Sequence, residues 1–177
     1  MATILAGNPT YTVSNDVWGF GHTFTADHTG WATDFSLVVA ARESGSGMTV
    51  TVSTFDGFSA PPGSIIGKMT IPESALTESL AWVTAQFQSS IFLEKGKTYY
   101  VDVTQSQSGR DGYNLYAYSN GNPYAGGIQA RYVPSNSWWN DHPGTDFAFQ
   151  FGGTVPEPAS GILIAIGVIA AACKRRR

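Results

Sequence analysis

The stretch Trp138-Trp139-Asn140-Asp141-His142 sets two indole rings beside an amide, a carboxylate and an imidazole. Adjacent residues of a strand point to opposite faces, so one of Trp138 and Trp139 joins a core and the other stands out. An exposed ring next to Asn140 and Asp141 can stack on the apolar face of a sugar while the polar groups bond its hydroxyls. Tyr124, in the turn "NPYAGG", and Tyr113, Tyr116 and Tyr118 offer further rings for the same use. The plainer alternative is an apolar plug beneath a long loop.

Other chemistry is harder to assemble. The three histidines are His22, His28 and His142, and serines and aspartates are plentiful, but neither a G-x-S-x-G nucleophile elbow nor an H-E-x-x-H zinc motif occurs. His22 alternates with Trp18, Phe20 and Phe24, which reads as a core or sheet-edge histidine, while His28 and His142 fall in expected turns. No catalytic residue is assigned, and the chain is not expected to be an enzyme. Asp56, Asp111, Asp141 and Asp146 lie in turn-like segments where carboxylates can converge on calcium. None reproduces the D-x-[DN]-x-[DN]-G loop, so they read first as ordinary turn-forming aspartates, with a structural calcium as the lesser alternative, and no metal ligand is assigned.

The elements that must position these residues are strands. Apolar residues alternate with Thr, Ser and Gly at Phe35, Leu37 and Val39; at Met48, Val50 and Val52; at Val83, Ala85 and Phe87; at Tyr99, Val101 and Val103; and at Phe147, Phe149 and Phe151. The intervening clusters "ESGSG", "DGFSAPPG", "EKGK", "SGRDG", "SNGNP" and "PSNS" are turn formers. With the weaker "YNLYAYS" and "GGIQARY", this makes about eight to ten short strands, enough for two packed antiparallel sheets. "PESALTESLA" is the one stretch that suggests a helical turn, with Pro72 at its start. The fold expected for residues 1–153 is therefore an all-β, two-sheet, jelly-roll-like sandwich.

Composition excludes several classes of function. Of ten Lys and Arg residues, four are Lys174, Arg175, Arg176 and Arg177, which leaves six cations against thirteen acids and a net of −7 for residues 1–173. Such a body lacks the basic surface that releases counterions from a nucleic-acid backbone, so no nucleic-acid partner is expected. The single cysteine, Cys173, lies in the C-terminal segment, so the body forms neither a disulfide nor a thiolate metal site.

The last 23 residues, "VPEPASGILIAIGVIAAACKRRR", differ in kind. From Ala159 to Cys173 every residue but Ser160 is apolar or glycine. As a helix this stretch would span roughly 20–25 Å, slightly short of the roughly 30 Å of a bilayer's hydrocarbon. Snorkelling by the terminal basic residues covers the difference. A core helix would show a polar stripe, and none is present. The expectation is one transmembrane helix over about 159–173, with Lys174–Arg177 as a cytoplasmic stop and the body outside. Pro156 and Pro158 exclude helix and sheet pairing, so the linker stays extended, and Glu157 gives it a single charge.

"VPEPAS", an apolar helix and "KRRR" in that order resemble the PEP-CTERM sorting signal of Gram-negative bacteria that make extracellular polysaccharide. The resemblance implies export, brief anchoring at the membrane, and processing near Pro156, Glu157 and Pro158 by an exosortase, a membrane-embedded cysteine transpeptidase. The body would then reach the cell surface or the extracellular matrix. The family pattern includes an N-terminal signal peptide; "MATILAGNPTYTV" shows no charged region followed by an apolar one, so the natural start is expected upstream of Met1. The elements "FDG", "PPGSIIG", "LEKGKTYYVDV" and "NPYAGG" also resemble a jelly-roll module that precedes such tails and is shaped like carbohydrate-binding and adhesion domains. Three functions are thus carried forward for the body: a structural or adhesion module, a binder of extracellular polysaccharide, and a hydrolase.

Overall fold

Phenylalanine spacing near the end of the body sets up the architecture. Phe147, Phe149 and Phe151 are all buried, and their rings meet side chains from both sheets of a sandwich. The computed structural model describes residues 12–13, 20–43, 47–105, 112–120, 126–133, 138–142 and 145–154. The elements, in order, are β1 (Thr12–Val13), β2 (Phe20–Thr25), β3 (Gly30–Glu43), β4 (Met48–Thr54), β5 (Ile65–Ile71), β6 (Ala81–Leu93), β7 (Thr98–Gln105), β8 (Gly112–Asn120), β9 (Gln129–Val133), β10 (Trp138–His142), β11 (Thr145–Phe147) and β12 (Phe149–Thr154). A short 3-10 turn over Glu73–Ala75, directly after Pro72, is all that forms of the expected helical stretch.

Sheet I follows the order β1-β8-β3-β12, with β6 on the other edge of β3 and β11 on β8. Sheet II follows β10-β9-β2-β7-β4-β5. All described pairings are antiparallel. Most strands are followed by one in the opposite sheet, and β4–β5 and β9–β10 are the adjacent pairs within sheet II. The all-β, two-sheet expectation therefore stands.

The core lies between the sheets, where alternating side chains interdigitate. Phe24 of sheet II packs on Phe149 and Phe151 of sheet I, with centroids 5.9 and 4.6 Å away, and on Tyr99 at 5.5 Å. Phe35 meets the same two phenylalanines at 5.6 and 5.1 Å. The inward residues expected in β3, β4 and β7 are buried as the alternation requires, as are Val83 and Phe87 of β6.

Two departures from strict alternation matter. β5 was not expected as a strand because Gly67 stands at an inward position, where period two demands an apolar side chain. A Cβ there would lie 2.6 Å from Cγ2 of Ile91 and 3.1 Å from the Phe87 ring, so bare backbone fills the place. In β3, Thr33 is one extra residue against β12, a bulge, while toward β6 the pairing jumps from Ala32–Ile91 to Asp34–Gln86 and leaves residues 87–90 of β6 out of the ladder. The bulge reverses the phase: Ala32 points inward on its N-terminal side, and Phe35, Leu37 and Val39 do so beyond it. Trp31 consequently faces solvent, although it shares odd numbering with the core positions.

Candidate functional site

Trp138, Trp139, Asn140 and Asp141 form most of β10, the edge strand of sheet II, in register with Val133, Tyr132, Arg131 and Ala130 of β9. The strand environment expected for the two tryptophans is present, and their side chains lie outside the described residues. So do Tyr124, the sorting residues Pro156, Glu157 and Pro158, the segment 159–173 and the basic end Lys174, Arg175, Arg176 and Arg177. His142 closes β10 and Asp146 lies in β11, so both belong to strands and not to the turns expected for them; Asp141 is likewise a strand residue. Among the described residues no group of three or more His, Cys, Asp or Glu gathers where an ion could sit. Asp111 lies outside them.

His22 is fully buried, with its ring edge-on to Phe147 at 5.0 Å and Phe149 at 5.3 Å, and its Nδ1 bonds to the backbone carbonyl of Thr23. This is a core histidine. His28 is exposed beside Asp27, 3.6 Å away, in the bend between β2 and β3.

Three large rings meet solvent on the outward face of sheet I, and a fourth, Phe58, does so in the loop between β4 and β5. Trp31, Trp82 and Phe92 are 47, 46 and 40 % exposed. Register arranges this face in rows across β6, β3 and β12: Trp82 opposite Val38; Thr84, Ser36 and Gln150; Gln86, Asp34 and Gly152; and Phe92 opposite Trp31. Trp31 and Phe92 touch, with centroids 5.1 Å apart. Between the aromatic ends lie two polar rows. Ser36 and Thr84 share a hydroxyl hydrogen bond of 2.7 Å, and the Thr33 hydroxyl donates to Asp34 Oδ2 at 2.9 Å. The Asp34 carboxylate leans over Gly152, occupying the space a Cβ there would need. The sequence reading missed this site: the bulge at Thr33 disguises Trp31, and Trp82 alternates with Val83 as an outward residue that drew no attention. Two indoles in strands that pair with each other were the available signal.

The outward face of sheet II differs. Tyr100 is buried there against Ala130, with Phe55, Ile128 and Tyr132 around them, in a second small apolar cluster. Gly21 makes room for it, since a Cβ would lie 2.1 Å from the Tyr100 hydroxyl. That hydroxyl donates to Asp102 Oδ1 at 3.1 Å and accepts from the Tyr132 backbone N–H at 3.2 Å. Burial, then the charge of Asp102, raises the Tyr100 phenol above its ordinary value. Burial also raises the Asp102 carboxyl above the usual carboxylate range, against the Tyr100 bond and the Arg131 charge, which both lower it.

A folded-state carboxyl raised above its unfolded value binds more protons in the native state between the two values. Stability therefore falls as pH climbs from the ordinary carboxyl range, about 4, through the raised value. Asp102→Asn keeps an acceptor for Tyr100 and removes the ionisation. Urea unfolding at several pH values from 4 to 8 is expected to show the variant gaining stability relative to the parent as pH rises; parallel curves would refute the assignment.

One open cavity, of about 230 Å³, lies between β5 and β6, lined by Ile65, Ile66, Gly67, Lys68, Gln88 and Ser89. Lys68 is its single ionisable side chain, which leaves it without an acid–base pair.

Residues 154–177 match the family model described as the PEP-CTERM protein-sorting motif. The match implies an exported, envelope-associated protein that interacts with and is processed by an exosortase. No curated protein matches the chain. Among the described residues no helix is long and apolar enough to cross a membrane.

Proposed function

We propose that the chain is a transiently membrane-anchored protein whose body acts as a non-catalytic structural or adhesion module at the cell surface or in the extracellular matrix. The observation that carries this is the sorting motif at 154–177 directly after the last strand of the sandwich, which ends at Thr154. In this reading a helix over about 159–173 holds the chain in the bilayer, Lys174 to Arg177 stop it on the cytoplasmic side, and the exosortase cuts near Pro156-Glu157-Pro158. A cut beyond Thr154 leaves every strand of the body intact, so processing does not unfold it. The repeated crossing of the chain between sheets supports a jelly-roll-like topology. The non-catalytic reading is supported by the core position of His22. No cofactor is proposed.

Mass spectrometry of the mature protein from its own cells tests this reading: the C-terminus is expected within or just after the Pro-Glu-Pro segment. Persistence of Arg177 on the mature chain would overturn it. Replacing Pro156, Glu157 and Pro158 together with alanine is expected to leave essentially all of the chain unprocessed in the membrane fraction.

A second reading, binding of extracellular polysaccharide, is favoured by exposed aromatic rings. It rests on the outward face of sheet I more firmly than on β10.

A further inference from the structure

We infer that the outward face of sheet I is a binding surface for an extended, uncharged polysaccharide, laid along the strands from Trp82 to the Trp31–Phe92 pair. This deepens the polysaccharide reading and depends on it.

The geometry has three parts. Trp31 and Trp82 are each nearly half exposed although both lie in paired strands, and each leaves a large apolar ring in water. A cluster of exposed rings on a paired sheet marks an interaction surface. Next, the two aromatic ends are separated by the length of β3 from position 31 to position 38, roughly 20 Å at about 3.3 Å per residue. That length suits a chain of several sugar rings and is too long for a single small ligand. Finally, the polar groups that reach solvent between the ends are the Thr84 hydroxyl, the amides of Gln86 and Gln150 and the partly exposed Asp34 carboxylate, while Ser36 is buried and holds Thr84 by a hydroxyl hydrogen bond. These donate to and accept from hydroxyl groups.

Charge selects the ligand. The four rows contain no Lys or Arg and one acid, and residues 1–173 carry a net of −7. An anionic polysaccharide would meet like charge with no cation to pair with, whereas a neutral one loses nothing. The flat pyranose faces of a neutral glycan present C–H groups to the electron-rich faces of the indoles, and the hydroxyls at the ring edges reach the polar rows.

Affinity electrophoresis of the intact chain in mild detergent tests the proposal, using gels cast with hydroxyethyl cellulose, with xyloglucan, or with alginate as the anionic probe. Retardation is expected in at least one neutral gel and not in alginate. Trp31→Ala/Trp82→Ala should bind about five-fold to a hundredfold more weakly, given about 0.5–1.5 kcal/mol for each lost ring contact. Trp82→Phe should keep most of the binding. Both rings are solvent-facing, so circular dichroism and melting temperature serve as folding controls. Light scattering reports whether the face joins two copies of the chain. Equal mobility of parent and double variant in the neutral gels would overturn the proposal, and so would stronger retardation in alginate. A dimer that the double variant dissolves, without neutral-glycan binding, would assign the face to self-association instead. None of these outcomes bears on tail processing, which the mass measurement reads separately.

Discussion

Phe149→Ala is expected to destabilise the body by about 3–5 kcal/mol, the usual cost of emptying a large ring from a packed core. Phe149 is fully buried and lies within ring contact of Phe24, Phe35, Phe147, Phe151 and His22. Its neighbours come from both sheets, and they are held by hydrogen-bonded strands that cannot all move in to refill the space. A loss of this size removes a large part of the about 5–15 kcal/mol by which a domain is stable. Urea unfolding should show a lower midpoint at nearly unchanged slope. Phe92→Ala, which truncates a solvent-facing ring, serves as the comparison and should cost about 1 kcal/mol or less. If the two substitutions cost the same, the placement of the core between the sheets would be wrong.

Gly153→Val is the second large effect, with a different cause. A Cβ at Gly153 would lie 1.9 Å from the Trp31 carbonyl oxygen and 2.8 Å from the Ala32 Cα. Both are backbone atoms of the neighbouring strand, so no side-chain rotation relieves the contact, and β12 must separate from β3 at this point. The expected cost is about 3 kcal/mol or more, in the range reserved for forced backbone rearrangement and overpacking. The separation would begin at the strand end nearest the sorting motif, so limited proteolysis should cut near 153 in the variant well before global unfolding. Gly96→Ala makes a useful contrast: nothing lies within 4 Å of the added Cβ, and its cost comes from a backbone φ of +82° alone. That change is expected to cost about 1 kcal/mol, through left-handed strain in an open turn. Equal effects at the two glycines would show that β12 and β3 are less closely apposed than described.

How much of this could be read from the residues depended on whether a position obeyed period two. Phe35, Leu37 and Val39, Met48, Val50 and Val52, and Tyr99, Val101 and Val103 each declare a buried face by spacing alone, and each is buried. β5 escaped because Gly67 replaces a side chain with space that Ile91 and Phe87 fill, which is a tertiary fact invisible in "IIGKMTI". Trp31 escaped for a related reason: one unpaired residue, Thr33, turns the strand over between Trp31 and Phe35, and no local pattern announces a bulge. The tail was legible for the opposite reason. Its order of proline pair, apolar run and basic end is a linear signal that needs no fold to be recognised, and the family match falls on the same residues, 154–177. Of the proposed ligand surfaces, the one built on neighbours in sequence, Trp138-Trp139, was easy to notice. The one built on neighbours in register, Trp31 across from Phe92 with Trp82 farther along the same strand, required the pairing to be known.

The crossing of the chain between sheets also governs when the body can become itself. Partners in most strand pairs are distant in sequence, and topologies of that kind assemble slowly because long loops must close before any pairing rewards them. β12 closes the edge of β3 and brings Phe149 and Phe151 to the centre, yet it occupies the last six residues before the proline-rich segment. A chain delivered from its N-terminus therefore lacks the strand that carries Phe149 and Phe151 until the sorting segment itself is next to arrive. Maturation of the body and presentation of its address are coupled in time by nothing more than the position of one strand.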